Sequence, residues 1–338
     1  MRDVRSGDAP AAWVSTAIRA SRGALRDRRT VLRSRWPKRR GAALLGALLL
    51  ASPAAAAAAA GAEPALVLAA GDIAACDSDG DEQTARLLDV LPGTILALGD
   101  LAYPTGSARE FAQCYGPSWG RHKARTRPAP GNHDYGDGSA APYFAYFGEA
   151  AGAPGEGWYS FALGAWHIVS LNSNCDEIGG CERDSREGRW LAADLAAHPA
   201  PCTLAFWHHA RFSSGAKHGS TERMAPLWEI LEEHGADVIL SGHDHVYERF
   251  APQDARGHAD PGGIRQFTVG TGGRSLRRFG PLLPNSEAHS GAAYGVLKLT
   301  LHPTGYHWEF VPVEGAHFSD RGGASCVSAP EPSPPVAR

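Results

Sequence analysis

No Cys-x-x-Cys pair occurs in the 338 residues, so the frame for a thiolate zinc site or a thioredoxin-type redox motif is missing. No serine or cysteine stands in a triad context, which leaves no Ser or Cys candidate for a covalent nucleophile. Lysine is scarce: Lys38, Lys123, Lys217 and Lys298 are the full set, against abundant arginine and alanine. That skew suggests a GC-rich bacterial genome and says nothing about chemistry. Internal repeats and interior linkers are also absent, so one domain is expected. The one long apolar run, Gly41 to Ala60, is strongly apolar only from Ala42 to Ala51 and is broken by Pro53, too short to span a bilayer.

That run reads as part of an export signal. Before it, from Arg2 to Arg40, stand twelve basic residues against only Asp3, Asp8 and Asp27. After it comes Ala60-Gly61-Ala62, a small-residue cleavage site, so residues 1–62 are expected to be a signal peptide. A retained anchor is the alternative reading. Translation from near Val31 would leave a more ordinary signal, and Arg39-Arg40 would permit twin-arginine export. The whole chain carries −3, and with twelve basic and three acidic residues removed the remainder carries −12. A chain of that charge does not bind nucleic acid or anionic membrane through bulk electrostatics.

All six cysteines follow residue 62, and an even number in an exported protein implies disulfides. Cys175 and Cys181 flank a turn and can close a local loop. The other four leave the pairing open, with Cys76–Cys114 and Cys202–Cys326 preferred. The expected location is secreted, periplasmic or extracellular.

Strand and helix signals alternate along the rest. Ala65–Ala70, Thr94–Leu98, Thr203–Trp207 and Asp237–Leu240 are short apolar strands; Trp158–Leu171 gives two strands joined at Gly164-Ala165. Helical spacing marks Glu82–Leu91, Arg189–Ala197 and Met224–Glu233. From there to about Val313 the pattern is strand-like, as in Gly295–Leu301, and the Pro-rich end, residues 326–338, is expected to be disordered. This is a layered α/β domain over residues 63–325. The stretches Asp134–Gly157, Ser173–Arg186 and Ser275–Ser290 read as long loops that form a pocket rim.

The polar residues fall where several apolar strands stop: Gly71-Asp72, Gly99-Asp100, His208-His209 and Gly242-His243. Ligands gather at the carboxyl ends of strands in α/β sheets, so these residues would converge on one edge. Asp72, Asp100, Tyr103, Asn132, His208, His243 and His245 make seven oxygen and nitrogen donors without sulfur, a set suited to Fe, Mn or Zn. Seven exceed what one catalytic metal with an open position uses, and two metals sharing a carboxylate would employ them all.

Asp72 in Gly-Asp, GDLAY at Gly99–Tyr103, GNHD at Gly131–Asp134, His208, and GHDHVYER at Gly242–Arg249 together resemble the calcineurin-like metallophosphoesterase superfamily. Tyr103, three residues after Asp100, is similar to the purple acid phosphatase branch. Much of the superfamily has Asp-x-His as its first motif; here Asp72-Ile73-Ala74 lacks that histidine, and Tyr103 stands where its replacement would come from. The resemblance spans about Ala65 to Val313. It implies an αββα sandwich of two mixed sheets flanked by helices, the metallophosphatase fold.

The same resemblance implies a ferric ion held by Asp72, Tyr103 and His245, and a divalent partner (Fe, Zn or Mn) held by Asn132, His208 and His243. Asp100 would bridge them. His133 and His218 would contact the phosphate or protonate the leaving alkoxide. The implied activity is hydrolysis of small phosphomonoesters by a metal-bound hydroxide. A phosphodiesterase or nucleotidase on the same site is the alternative, and a non-catalytic metal- or phosphate-binding protein a further one. Plant relatives carry an extra β-sandwich domain through which they dimerise; here the signal almost adjoins the first motif, so a monomer is expected.

Weaker expectations attach to neighbours. If the strand simply continues, only one of His208 and His209 faces the metals, and the motif favours His208. Asp134 is expected to support its loop, while Tyr247, Glu248 and Arg249 read as supporting residues. Gly270-Thr271-Gly272-Gly273 resembles a late glycine-rich turn of the family and is weak as a nucleotide signal. The remaining histidines, His167 and His198 among them, match no motif and are expected to be structural or exposed.

Overall fold

Strands with inward and outward apolar residues build two sheets that share one core. The computed structural model describes residues 63–136 and 138–327; the expected signal at 1–62 and the tail from 328 lie outside the described residues. The parallel centre of the first sheet is β1 (Ala65–Ala70), β3 (Thr94–Leu98) and β5 (Thr126–Ala129). β13 (Gly295–His302), β14 (Gly305–Pro312) and β15 (Arg321–Ser325) extend it antiparallel beside β1, giving the order β15-β14-β13-β1-β3-β5. Two short strands, β2 (Ala74–Ala75) and β4 (Ala102–Tyr103), pair separately just beyond the ends of β1 and β3.

The second sheet has seven strands: β6 (Tyr159–Leu163), β7 (Trp166–Ser170), β8 (Cys202–His209), β9 (Val238–Gly242), β10 (Tyr247–Phe250), β11 (Arg265–Val269) and β12 (Ser286–Ser290). Their order is β12-β10-β11-β9-β8-β7-β6, with β7, β8, β9 and β11 parallel. Alternation along these strands decides the layers. Leu204, Phe206, Val238 and Leu240 pack with Val67, Ile95 and Leu96 of the first sheet. Ala205, Trp207 and Ile239 point the other way, into a second cluster with the helices.

Four helices matter for the layers: α1 (Gly80–Val90), α2 (Ala141–Phe147), α3 (Arg186–Ala197) and α4 (Ala225–Glu233). Ala85 and Leu88 of α1 pack with the first sheet. α3 begins at Ser185, whose Oγ accepts from Gly188 N at 3.0 Å, and it buries Leu191 and Leu195 on the second sheet beside Leu227, Trp228 and Leu231 of α4. Each such side chain stabilises the fold by roughly 1.5–3 kcal/mol relative to exposure. The result is the expected αββα arrangement of two mixed sheets.

Disulfides join Cys76–Cys114, Cys175–Cys181 and Cys202–Cys326. Cys326 and Val327, assigned by composition to the tail, are instead anchored: Cys326 by its disulfide, Val327 by its N–H on Asp237 Oδ1 at 2.6 Å. The loop reading of Asp134–Gly157 is corrected as well. Tyr143, Phe144 and Phe147 lie at helical spacing on α2 and pack against Phe111 and Tyr115, a core role rather than a rim. Likewise Ser173–Arg186 contains a helical turn at Cys175–Ile178, and Ser275–Ser290 ends in β12. No helix among the described residues is long and apolar enough to cross a membrane.

Candidate metal centre

Five parallel strands from the two facing sheets end at one place. β1 runs into Gly71-Asp72, β3 into Gly99-Asp100, β5 toward Asn132, β8 ends at His208-His209, and β9 ends at Gly242 before His243. At three of these ends the chain turns through the left-handed region on a residue that is not glycine: Asp72 (φ 60°), Asp100 (φ 54°) and His243 (φ 71°). Such conformations cost about 1–3 kcal/mol each and persist where the surroundings over-determine them. Glycines allow the elements to close in. A Cβ on Gly131 would lie 2.2 Å from Asp100 N and Oδ1, and one on Gly242 would lie 2.8 Å from Asp72 Oδ2.

The donors meet edge to edge. Tyr103 Oη is 3.0 Å from Asp72 Oδ1, 2.8 Å from Asp100 Oδ2 and 3.3 Å from His245 Nε2. His208 Nε2 is 3.3 Å from Asp100 Oδ2, 3.2 Å from Asn132 Oδ1 and 3.2 Å from His243 Nδ1. So all seven expected donors are brought together, in two groups joined by Asp100. Asp72, Asp100, Tyr103, His208 and His245 form a buried floor. Asn132 and His243 are more open.

Hydrogen bonds aim the rings. His208 Nδ1 donates to Leu98 O at 2.8 Å, and His245 Nδ1 lies 3.0 Å from Ser275 O, so both rings turn Nε2 inward. Backbone N–H groups hold the outer carboxylate oxygens: His243 N donates to Asp72 Oδ2 and His133 N to Asp100 Oδ1, each at 2.8 Å.

This donor set fits a pair of cations. Among the described residues no lysine or arginine hydrogen-bonds Asp72 or Asp100, although both carboxylates are buried. Donor separations of 2.8–3.3 Å match the edges of a coordination polyhedron with bonds of about 2.0–2.2 Å. In the protein alone the imidazoles meet part of the carboxylate charge. Burial raises the Asp100 carboxyl, and the imidazoles of His208 and His133 overcome that, holding it well below the usual carboxylate range. Burial lowers His208, yet Asp100 pushes it up to about 9. Burial and the two carboxylates push the Tyr103 phenol far upward, and a bound cation reverses that pressure.

His133 and His218 sit at the mouth. His133 Nδ1 donates to Pro104 O at 2.6 Å, its ring centroid is 4.4 Å from that of Tyr103, and Nε2 is 3.9 Å from Asp100 Oδ2. The His218 ring lies on His243, centroids 4.0 Å apart. Its loop is tied down by Asp244, which accepts from Ser213 Oγ at 2.6 Å, His218 N at 3.3 Å and Gly219 N at 2.9 Å. Asp244 escaped the sequence reading, although its place between His243 and His245 was a usable signal.

The expectation for His209 needs correction. The register shifts between Phe206 and His209, so both consecutive histidines turn toward the centre. A ring nitrogen of His209 lies within 4.8 Å of those of His208 and His243. Ser173 Oγ fixes it, accepting from His209 N at 2.9 Å and lying 2.8 Å from Nδ1. Burial and the adjacent His208 push the His209 imidazole down to about 3.

Neighbours are structural. Asp134 accepts from Leu101 N and Gly131 N, with burial and Asp100 raising it to about 7. Glu248 accepts from Ser214 N and Ser286 Oγ. The glycine-rich turn supports the floor: Gly272 N donates to Gly71 O and Arg274 N to Asp72 O, both at 2.9 Å. Arg274 also covers the Tyr103 ring at 5.3 Å and walls a cavity of about 450 Å³ with Ser107 and Arg109.

Comparison with known proteins bears on the family and the fold. A family model described as calcineurin-like phosphoesterase matches residues 58–247. Purple acid phosphatase 18 of Arabidopsis thaliana is 31% identical over 44% of this chain and 34% of its own length. The probable inactive purple acid phosphatase 1 of the same plant is 23% identical over 69% of this chain and 45% of its own. The chain thus spans less than half the length of these relatives. The structure of the purple acid phosphatase PPD1 from yellow lupin superposes with a TM-score of 0.64 at 18% identity, covering 78% of this chain and 54% of that one, a likeness of fold.

Proposed function

This chain belongs to the calcineurin-like phosphoesterase family, and from that premise we propose that it is an exported phosphomonoesterase of purple acid phosphatase type. The observation that carries the reading is the meeting of seven oxygen and nitrogen donors, two of them buried carboxylates with no lysine or arginine partner among the described residues. In this proposal residues 1–62 direct export, residues 63–327 form the catalytic domain, and the enzyme acts as a monomer.

Asp72, Tyr103 and His245 would hold a ferric ion, since phenolate and carboxylate oxygens favour the higher charge. Asn132, His208 and His243 would hold Fe, Zn or Mn in the divalent state, and Asp100, between the two groups, would serve as a ligand as well. Such a pair, when bound, supplies a hydroxide nucleophile near or below neutral pH and offsets the charge of the phosphoryl group. The chain's own residues do the rest. The Leu98 and Ser275 carbonyls keep His208 and His245 aimed, so the centre forms without rearrangement. Pro104 O can only accept, so His133 Nδ1 carries a hydrogen in either protonation state; the imidazolium carries a second on Nε2, which passes to the leaving oxygen and leaves the neutral ring behind. His218, held by the Asp244 loop, lies beside His243 to meet a phosphate oxygen.

The test is hydrolysis of p-nitrophenyl phosphate and of its bis-ester across pH, with metal content measured in parallel and Asp100→Asn as control. Rapid monoester cleavage, lost in the control, is expected. Preference for the bis-ester would replace the reading with a phosphodiesterase. Silence toward both at full metal content would favour a non-catalytic scaffold, as the name of the inactive plant relative suggests. Tyr103→Phe tests the ferric assignment separately: the visible iron–phenolate absorption should vanish, and a protein that kept its colour would overturn it.

A further inference from the structure

On the flank of the second sheet, away from the seven donors, two histidines without a motif share one carboxylate. His167 lies on β7, while Asp194 and His198 lie four residues apart at the end of α3, on one face of that helix. Asp194 Oδ2 is 2.7 Å from His167 Nε2, and Oδ1 is 3.1 Å from His198 Nδ1. The two rings stack with centroids 5.3 Å apart and planes at 22°. Ser160 Oγ donates to the same Asp194 Oδ1 at 2.8 Å and helps fix the carboxylate.

We propose that His167, Asp194 and His198 form a second cation site, independent of the family's centre, that takes Zn²⁺. Three observations support it beyond the presence of the residue types. One donor atom from each residue lies within 4.8 Å of the other two. Zinc bonds of about 2.0–2.2 Å need ligands a little over 3 Å apart, which modest side-chain rotation supplies here.

Access also differs along the cluster. His167 and the Asp194 side chain are 5% and 7% exposed, whereas His198 is 58% exposed. A cation would therefore sit against a fixed base with an open outer position. That position faces a groove of about 540 Å³ whose walls, including Trp166, Pro199 and Pro201, contain no lysine or arginine.

The electrostatics favour a cation as well. Asp194 O lies 3.0 Å from His198 Nδ1, at the carbonyl end of α3, where the helix dipole is negative. Two neutral imidazoles, a carboxylate and an open site are a donor set that zinc uses commonly. Binding there would fasten the start of β7 to the end of α3. A hydrogen-bonded His–Asp pair with a passive neighbour is the competing explanation, and it makes different predictions.

The experiment uses the full protein with its family centre already loaded and its metal content determined. Zn²⁺ is added at low micromolar concentration, the excess is removed by gel filtration, and bound zinc is counted by elemental analysis. Wild type should gain one equivalent that His198→Ala and His167→Gln do not, with phosphatase activity unchanged in His198→Ala. Zinc at about a hundredfold above its dissociation constant should also raise the melting temperature of wild type and leave that of His198→Ala in place. Co²⁺ substitution adds a readout independent of folding: wild type should show intense visible bands of a four-coordinate ion that His198→Ala lacks. Equal zinc uptake by wild type and both variants would overturn the proposal. So would uptake without the His198-dependent melting shift.

Discussion

Two networks in this protein join a tyrosine to carboxylates, one buried and one part-buried, and they balance charge in opposite ways. Around Asp320 the chain supplies its own cations. Tyr247 Oη and Arg249 Nε both bond Asp320 Oδ2 at 2.7 Å, Trp308 Nε1 donates to the same oxygen, and Arg265 bonds Glu287 at 2.7 Å. Burial opposes ionisation of Asp320, but Arg249 and Tyr247 hold its carboxyl below the usual value. Around Asp100, Tyr103 meets two carboxylates, and among the described residues no guanidinium or ammonium is bonded to either. One network is complete in itself and stabilises the fold. The other leaves charge to be met from outside, which is how a site differs from a core.

The largest expected effect follows from breaking the incomplete network. Asp100→Asn should lower kcat/KM for p-nitrophenyl phosphate by more than about a hundredfold, since even residues that merely orient metal ligands cost 10–100-fold. Its stability should depend on metal. In chelator near neutral pH the variant should melt somewhat below wild type, because His208 and His133 hold the Asp100 carboxyl below its usual value and that ionised contact is lost. With metal present the deficit should be much larger, since a ligand is lost as well. Melting curves with and without chelator measure both deficits, and equal deficits would place Asp100 in the structural class of Asp320.

The complete network should respond the other way. Arg249→Met strips the partner from Asp320 while Arg265 remains on Glu287. Removing one member of a buried pair costs roughly 3–5 kcal/mol, and the lower end applies here because Tyr247 Oη and Trp308 Nε1 still donate to Asp320. Urea unfolding should show that loss, with kcat/KM unchanged once the protein is folded. A fall in activity without a fall in stability would erase the distinction between the two networks.

Much of this contrast was legible in the sequence because metal chemistry restricts residue types. Asp, Asn and His directly after apolar strands mark a sheet edge, and the facing sheets bring those edges together. The helices at Arg186–Ala197 and Ala225–Glu233 announced themselves by spacing, and the preferred cysteine pairs are the ones observed. Three things were not legible. A register shift in β8 has no residue signature, so His209 was turned the wrong way. α2 is short and starts with Ala-Pro-Tyr, so its aromatic face read as a loop. His167 and Asp194 are 27 residues apart, and only the packing of α3 on β7 brings them together.

The smallest expected effect concerns a third kind of buried carboxylate, with neither a cation nor a metal to meet. Glu187, in the first turn of α3, is fully buried; Oε1 accepts from Asn172 N at 2.6 Å and Oε2 has no partner. Burial pushes its carboxyl up from 4.5 to about 8, against the opposing Asn172 bond. A carboxyl raised on folding contributes stability that is complete below its unfolded value and is lost as pH rises through its folded one. Wild type should therefore lose stability between about pH 4.5 and 8, by on the order of 2 kcal/mol once relaxation around the site is allowed for. Glu187→Gln keeps an oxygen for Asn172 N and cannot ionise, so its urea midpoints should be flatter over that window and higher than wild type above pH 8. The comparison belongs in metal-loaded protein, where the centre at Asp100 is held constant. Parallel pH profiles for the two proteins would mean that Glu187 stays charged in the fold and that water or an ion supplies the partner its second oxygen lacks.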